Sequence, residues 1–389
     1  MTRTLIKAGR FFDGLKTSEV RKNVFITLNG DKVESVSDIQ PEGQFDQTLD
    51  YSGYTVLPGL IDTHTHLAFN GHESLFKLAK DPRDKLAYEA VESLRVTLLA
   101  GITTCRDVGG FEHLDLSMKK YVEAGVLTGP RMFVSGKMIT ATGGHCWIIA
   151  TEANGPAEIR RAVREEIKAG VDMIKLMATG GGATPGQNLN AVQLELDEIK
   201  AACEVAHSNY RKVGVHAHGA DGIKRVVEGG VDMVDHCSLL DEEGAKMMKD
   251  RGTFMVLTPG HENMFPDLDP DWIRRMMPLR SRAAKTMEIA LKHELDIAIG
   301  TDAGGNPYAP HGKLWFCLKE AVESGMSAKD AIVGVTSNAA RCIGIDTLLG
   351  SIVPGKLADI AVFKGNPVER IEDSEHVVAV IKGGQLVRG

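Results

Sequence analysis

The sequence predicts an α/β fold: a parallel (β/α)8 TIM barrel carrying a small β-sandwich domain formed from both termini. Three observations predict it. Through roughly residues 57–345, short apolar strands alternate with amphipathic helices. Eight such strand–helix units close a parallel barrel. The first 56 and the last 44 residues read differently, as short alternating strands broken by Gly and Asn-Gly-Asp turn signals. The length of 389 residues also exceeds the ~250–300 at which a single core stops growing, so a second, smaller unit is expected. We therefore assign 1–56 and 346–389 to a composite β domain and 57–345 to the barrel.

Each element follows from local pattern. TLIKAG and NVFITLNGDKVESV near the N-terminus read as β-hairpins. Barrel strands are predicted over 56–64, 102–108, 131–136, 171–178, 213–219, 231–236, 253–257 and 296–302. Helices are predicted over 86–100, 112–124, 156–169, 193–212, 220–229, 241–251, 271–294 and 313–325, with a further one over about 327–343. The helix at 156–169 opens on Pro156 and Glu158, which suit a first turn. Several helices stop at a Gly just before the next strand, as in KAGVDMIK and KDRGTFMV. SIVPGKLADIAVFKGN and HVVAVIKGGQLVRG complete the β domain.

Composition narrows the function classes. Hydrophobic residues make up 43% and charged residues 25%, which excludes a disordered, collagenous or disulfide-scaffold chain. A net charge of −7 argues against a nucleic-acid partner. No run approaches the ~18 apolar residues of a membrane span, and the start lacks a signal-peptide core. Cysteines at 105, 146, 203, 237, 317 and 342 form no CxxC pair. They read as reduced thiols in a cytoplasmic protein. Symmetric homo-oligomers are common enough to favour one here weakly.

In such barrels the active site lies at the C-terminal ends of the strands. His64 and His66 end the first predicted strand, His216 and His218 the fifth, His236 the sixth and Asp302 the eighth. Residues two apart on a strand share a face, so each histidine pair points together. A lone strand-end histidine is more often a hydrogen-bonded core residue than a ligand. Five histidines and an aspartate at one barrel mouth are what a zinc-type site needs. Lys175 sits inside an apolar strand, where a cation is costly to bury. It reads either as one half of a buried ion pair or as a lysine carboxylated by carbon dioxide, whose carbamate could bridge two metals.

Other segments carry weaker signals. GGHCW follows the third strand and offers His145, with Cys146 and Trp147 beside it. The loop ATGGGATPGQNLNA lacks the spacing of a phosphate cradle and reads as a loop beside the pocket. The segment 258–275, with His261, Trp272, Arg274 and Arg275, reads as a lid or as a solvated helix start. His311 and His72 lie close to site motifs. Cys146 and Cys237 read as packing residues rather than nucleophiles.

GLIDTHTHL, DMIKLMATGG, HAHG, DH at 235–236, GTDAG and the tail GSIVPGKLADIAVF together resemble the amidohydrolase superfamily over nearly the whole chain. The likeness is to its binuclear branch with a carboxylated lysine on strand four. That branch includes prolidase-like dipeptidases, Lys/Arg-type carboxypeptidases and ochratoxin or phenylurea amidases, with imidazolonepropionase-like relatives. The resemblance implies one metal, most simply zinc, held by His64, His66, carboxylated Lys175 and Asp302. It implies a second held by Lys175, His216 and His236. His145 and His218 would face the substrate. A hydroxide bridging the metals would attack the carbonyl carbon of an amide-type C–N bond, and Asp302 would take its proton and pass it to the leaving nitrogen as that bond breaks. Implied substrates are small molecules: an N-acyl amino acid, a dipeptide, or an aryl amide or urea. The alternatives are a mononuclear deaminase or cyclic-amide hydrolase, which generally lacks the strand-four lysine, and a non-catalytic scaffold. Two departures concern the pocket: GGHC stands where the branch usually has GGHG, and DHC where it has EHG.

Overall fold

The computed structural model describes residues 2–259, 276–277, 279, 281–305 and 310–389. The chain begins in a sheet and returns to it at the end. Arg3–Phe11 pairs antiparallel with Arg21–Asn29 and parallel with Gln47–Pro58. Lys32–Ser37 forms a hairpin with Arg21–Asn29 through a turn in which Gly30 adopts φ 60°. Ile360–Phe363 then pairs with Gln47–Pro58, and Val377–Lys382 and Gln385–Arg388 follow outward, giving seven strands. Alternating residues such as Ile6, Val24, Ile26, Ile360 and Val362 form a core of their own, as a period of two requires.

All eight predicted barrel strands are present. They are Leu60–Thr65, Ile102–Asp107, Arg131–Val134, Met173–Met177, Lys212–Ala217, Met233–His236, Phe254–Leu257 and Ile297–Ile299. Pairing is parallel throughout. The barrel closes where the Asp302 amide donates to the His64 carbonyl and the His66 amide to the Ala303 carbonyl, both at 2.8 Å. Closure of the eighth strand onto the first is thus made by site residues themselves.

Three boundaries differ from expectation for identifiable reasons. The predicted strand 56–64 is shared: Gln47–Pro58 belongs to the terminal sheet and the barrel begins at Leu60. Gly59 makes the transition, where a Cβ would come within 2.2 Å of Thr103 Oγ1. The third barrel strand is interrupted, and the short Ile139–Thr140 carries the pairing to the fourth. Finally, the helix expected over 327–343 is two, Ala328–Gly334 and Ser337–Ile343. The Val335 carbonyl between them accepts from the Ile61 amide at 2.8 Å, so it is drawn out of the helical ladder by the first barrel strand.

The helices otherwise match to within a few residues; Arg83–Leu99 opens three residues before the predicted 86–100. Gly155–Ala169 buries Ile159, Ala162 and Val163 and stops at Gly170 with φ 101°. Leu196–Ser208 starts later than predicted, at a capping box made by Glu195 and Glu198. Of the predicted 271–294, Ala283–Lys292 is helical and most of the preceding stretch lies outside the described residues. All six cysteines are buried thiols. No described helix is long and apolar enough to cross a membrane.

Candidate metal centre

A cavity of about 150 Å³ opens at the C-terminal ends of the barrel strands. His64, His66, His145, Lys175, His216, His218, His236 and Asp302 all line it. These eight residues are therefore brought to one place, although they span the chain from position 64 to 302.

His64, His66 and Asp302 form one donor group. Asp302 Oδ1 lies 3.4 Å from His64 Nε2 and 3.5 Å from His66 Nε2. His66 is oriented by its Nδ1, 2.8 Å from the Gly109 carbonyl, which leaves Nε2 for the cavity. Asp302 adopts left-handed backbone at φ 55°, an uncommon conformation for a residue other than glycine. Burial opposes ionisation of Asp302, yet the two histidines hold its carboxyl well below the usual carboxylate range. Burial likewise acts to lower the His66 pKa, but Asp302, Asp107 and the Gly109 carbonyl together outweigh it and the net shift is upward. Behind this group, Asp62 accepts from the His64 amide at 3.1 Å and from the Thr301 hydroxyl at 2.6 Å, tying the first strand to the eighth.

His216, His218 and His236 form a second group, with one donor atom of each within 4.8 Å of the others. His218 Nδ1 lies 2.8 Å from Ser238 Oγ, and His236 Nδ1 lies 2.6 Å from Thr258 Oγ1. Both rings are thus pinned at one nitrogen and present the other. Burial pushes the pKa of His216 and His236 down, reinforced by neighbouring histidines, and that of His218 down to about 4. The imidazoles are neutral near pH 7, the form that binds metal. His236 also sits in left-handed backbone, at φ 74°.

Lys175 is 1% exposed and forms an ion pair with Asp235, itself wholly buried. Asp235 also pairs with Arg106, and His64 Nδ1 faces it at 3.4 Å. Burial lowers the Lys175 pKa, against the pull of Asp235 and with the push of Arg106. Sequence reasoning singled out Lys175 and missed Arg106. The same signal was there: a charged residue inside an apolar strand, ITTCRDV. Ser238, Thr258 and Thr184 were missed as well, and nothing local distinguishes them.

His145 lies on the other wall. Its Nδ1 is 3.0 Å from Thr184 Oγ1, and its ring centroid is 4.4 Å from that of His216. Burial, with the charge of His218, pushes its pKa down to about 3. Cys146 lines the cavity beside it, and burial pushes its thiol up to about 12, which suits packing rather than nucleophilic attack. Gly182 and Ala183 of the glycine-rich loop also line the cavity. His72 is exposed, and His311 is buried with Nε2 2.7 Å from the Phe69 carbonyl; neither lines the cavity. His261, Trp272, Arg274 and Arg275 lie outside the described residues.

The donor spacing can be tested against a metal. Two ligand atoms ~2.0–2.1 Å from one ion at tetrahedral angles are ~3.4 Å apart. The 3.4 and 3.5 Å separations of Asp302 Oδ1 from His64 and His66 Nε2 match that edge and exceed a hydrogen bond. Nitrogen and carboxylate donors in this mixture suit zinc and its neighbours. The residues fit a divalent ion.

Comparison with known proteins agrees with this chemistry. A family model described as "Amidohydrolase family" matches residues 55–387. Ochratoxinase from Aspergillus niger is 30% identical over 377 residues, covering 86% of this chain and 76% of that protein. Imidazolonepropionase from Geobacillus kaustophilus is 27% identical over 382 residues, covering 88% and 82%. Among solved structures, a Xaa-Pro dipeptidase with methionine bound in its active site superposes with a TM-score of 0.90, at 34% identity and with 100% of both chains covered. A prolidase complexed with N-methylphosphonate-L-proline superposes at 0.89, with 29% identity and the same coverage.

Proposed function

The chain belongs to the amidohydrolase family, and from that premise we propose that it is a binuclear metal-dependent hydrolase of amide-type C–N bonds. One ion would be held by His64, His66, Asp302 and carboxylated Lys175, the other by Lys175, His216 and His236. Ions bound there would polarise the scissile carbonyl and lower the pKa of a water to ~7, giving a nucleophile at neutral pH. The observation that carries this reading is the spacing of Asp302 Oδ1 from the two histidine nitrogens, 3.4 and 3.5 Å. Support for carboxylation of Lys175 comes from its lowered pKa, because only the neutral amine attacks carbon dioxide.

The chain's own groups then have distinct tasks. Asp302 is ionised, so it can take the proton released during attack and deliver it to the leaving nitrogen. His145 and His218 are neutral and line the cavity, where they would orient the substrate carbonyl and its neighbourhood. Leu75, Cys146, Met177, Leu257, Leu279 and Met287 supply apolar walls, which support a substrate bearing an apolar group. Among small amides, an N-acyl amino acid, a dipeptide, or an aryl amide or urea meets this description. The products are an acid and an amine.

Elemental mass spectrometry of the purified protein tests the reading. About two divalent ions per chain are expected, together with turnover in a panel of N-acyl amino acids, dipeptides and aryl amides. About one ion per chain, persisting after reconstitution with excess metal and bicarbonate, would replace it with a mononuclear site.

A further inference from the structure

Beneath the donor groups the barrel interior is charged. Barrel interiors are usually filled by branched aliphatic side chains contributed by alternate strands. Here Arg106 from the second strand, Lys175 from the fourth and Asp235 from the sixth meet instead, each at most 1% exposed. The fifth strand makes room for them with Gly214, where a Cβ would lie 2.7 Å from Arg106 Nη1. Arg106 is itself anchored, with Nε donating to the Thr63 carbonyl and Nη1 2.6 Å from Met233 Sδ.

Asp235 stands at the centre, and its two oxygens are divided. Oδ1 accepts from Arg106 Nη2 and faces His64 Nδ1 at 3.4 Å; Oδ2 accepts from Lys175 Nζ. His64 Nδ1 is a buried nitrogen with no hydrogen-bond partner of normal geometry, and Asp235 is the acceptor it faces. We infer that Asp235, locked in place by Arg106, is a positioning residue that sets two of the proposed metal donors at once. It places the His64 proton on Nδ1, which turns the Nε2 lone pair toward Asp302. It also holds Lys175 Nζ at the cavity floor through a single N–H, a contact that an amine and a carbamate can both make. An acceptor-only group is required. With an amide at position 235, Arg106 claims the oxygen and the NH2 is left facing Lys175, donor against donor. This inference rests on the proposed function, since it assigns His64 and Lys175 as ligands.

The test uses full-length protein stripped of metal and reconstituted with cobalt(II) and bicarbonate. Bound cobalt per chain and the visible ligand-field spectrum are read for wild type and Asp235→Asn. Partners that orient metal ligands are typically worth ~10–100-fold in metal affinity. The expected result is at least a ~10-fold weaker affinity for one of the two ions and an altered spectrum. If Asp235→Asn binds cobalt as the wild type does, with the same spectrum, Asp235 is only a core residue and the inference fails. A wild type that takes up no cobalt would instead overturn the proposed function. Should Asp235→Asn not fold, the wild type alone still decides. Nitrogen NMR of 15N-histidine-labelled, metal-free protein at pH 8.5, with His64 assigned by a His64→Gln difference, should show the proton on Nδ1. A proton on Nε2 would refute the assignment.

Discussion

Replacing Arg106 with methionine should lower the melting temperature of the metal-free protein by about 5 °C. The guanidinium is wholly buried and bonds Asp235, the Thr63 carbonyl and Met233. Removing one partner of a buried ion pair costs ~3–5 kcal/mol. Lys175 remains beside Asp235 as a counter-ion, which places the ion-pair loss at the low end of that range. The Thr63 carbonyl loses a buried donor, worth ~1 kcal/mol, and methionine retains much of the apolar stem. The total is ~4 kcal/mol. Unfolding entropy of ~2.1 cal/mol/K per residue over 389 residues is ~0.8 kcal/mol/K, so ~4 kcal/mol shifts the midpoint by ~5 °C if the chain melts as one unit. Circular dichroism or differential scanning calorimetry after chelation reads it, so that lost metal binding does not contribute. Arg95→Met provides the control: that arginine pairs with Glu92 on the exposed face of a helix, and no measurable shift is expected. A midpoint for Arg106→Met within ~1 °C of wild type would refute the reasoning, because the barrel would then be indifferent to its buried charge.

Three further outcomes are expected. Asp302→Asn should cut kcat by ~10²–10⁴-fold while melting near the wild type; near-normal kcat would show that another group moves the proton. Gly181→Ala should displace His145, since a Cβ there would lie 2.3 Å from His145 Cε1 and Nε2, and kcat/KM should fall up to ~100-fold. That loss should vanish in a His145→Ala background, and its persistence would mean the loop, not the imidazole, is responsible. Burial raises the Asp62 pKa from 3.8 to about 6, against hydrogen bonds from Thr301 and His64. A raised carboxyl pKa contributes stability that is complete below about pH 4 and is lost as pH rises through about 6. The stability of metal-free wild type relative to Asp62→Asn, from urea unfolding, should therefore decline between pH 4 and 7, and a rising difference would contradict the shift.

Most of the candidate site was legible because its signals are local. HTH and HAH each place two histidines on one strand face by the period of two alone. Lys175 declared itself by its polarity within an apolar strand. Arg106 carried the same signal and was read only as part of a strand. Ser238 and Thr258, which pin His218 and His236, offered no signal, because hydroxyls at strand ends are common and their partners lie 20 and 22 residues away.

The sequence by itself determined the eight strands, the helices between them, the terminal sheet strands and the set of polar residues at strand ends. Patterns of period 2 and 3.6 and the turn residues between them act over a few neighbours, so they survive without the fold. Only the tertiary structure decided that the second helix of the final pair starts anew, since the first barrel strand takes the Val335 carbonyl. It alone paired Asp235 with Lys175, 60 residues away, and with Arg106, 129 residues away. Those pairings depend on the register in which the eight strands meet when the barrel closes. Closure is a property of all the strands together, which no single stretch of chain contains.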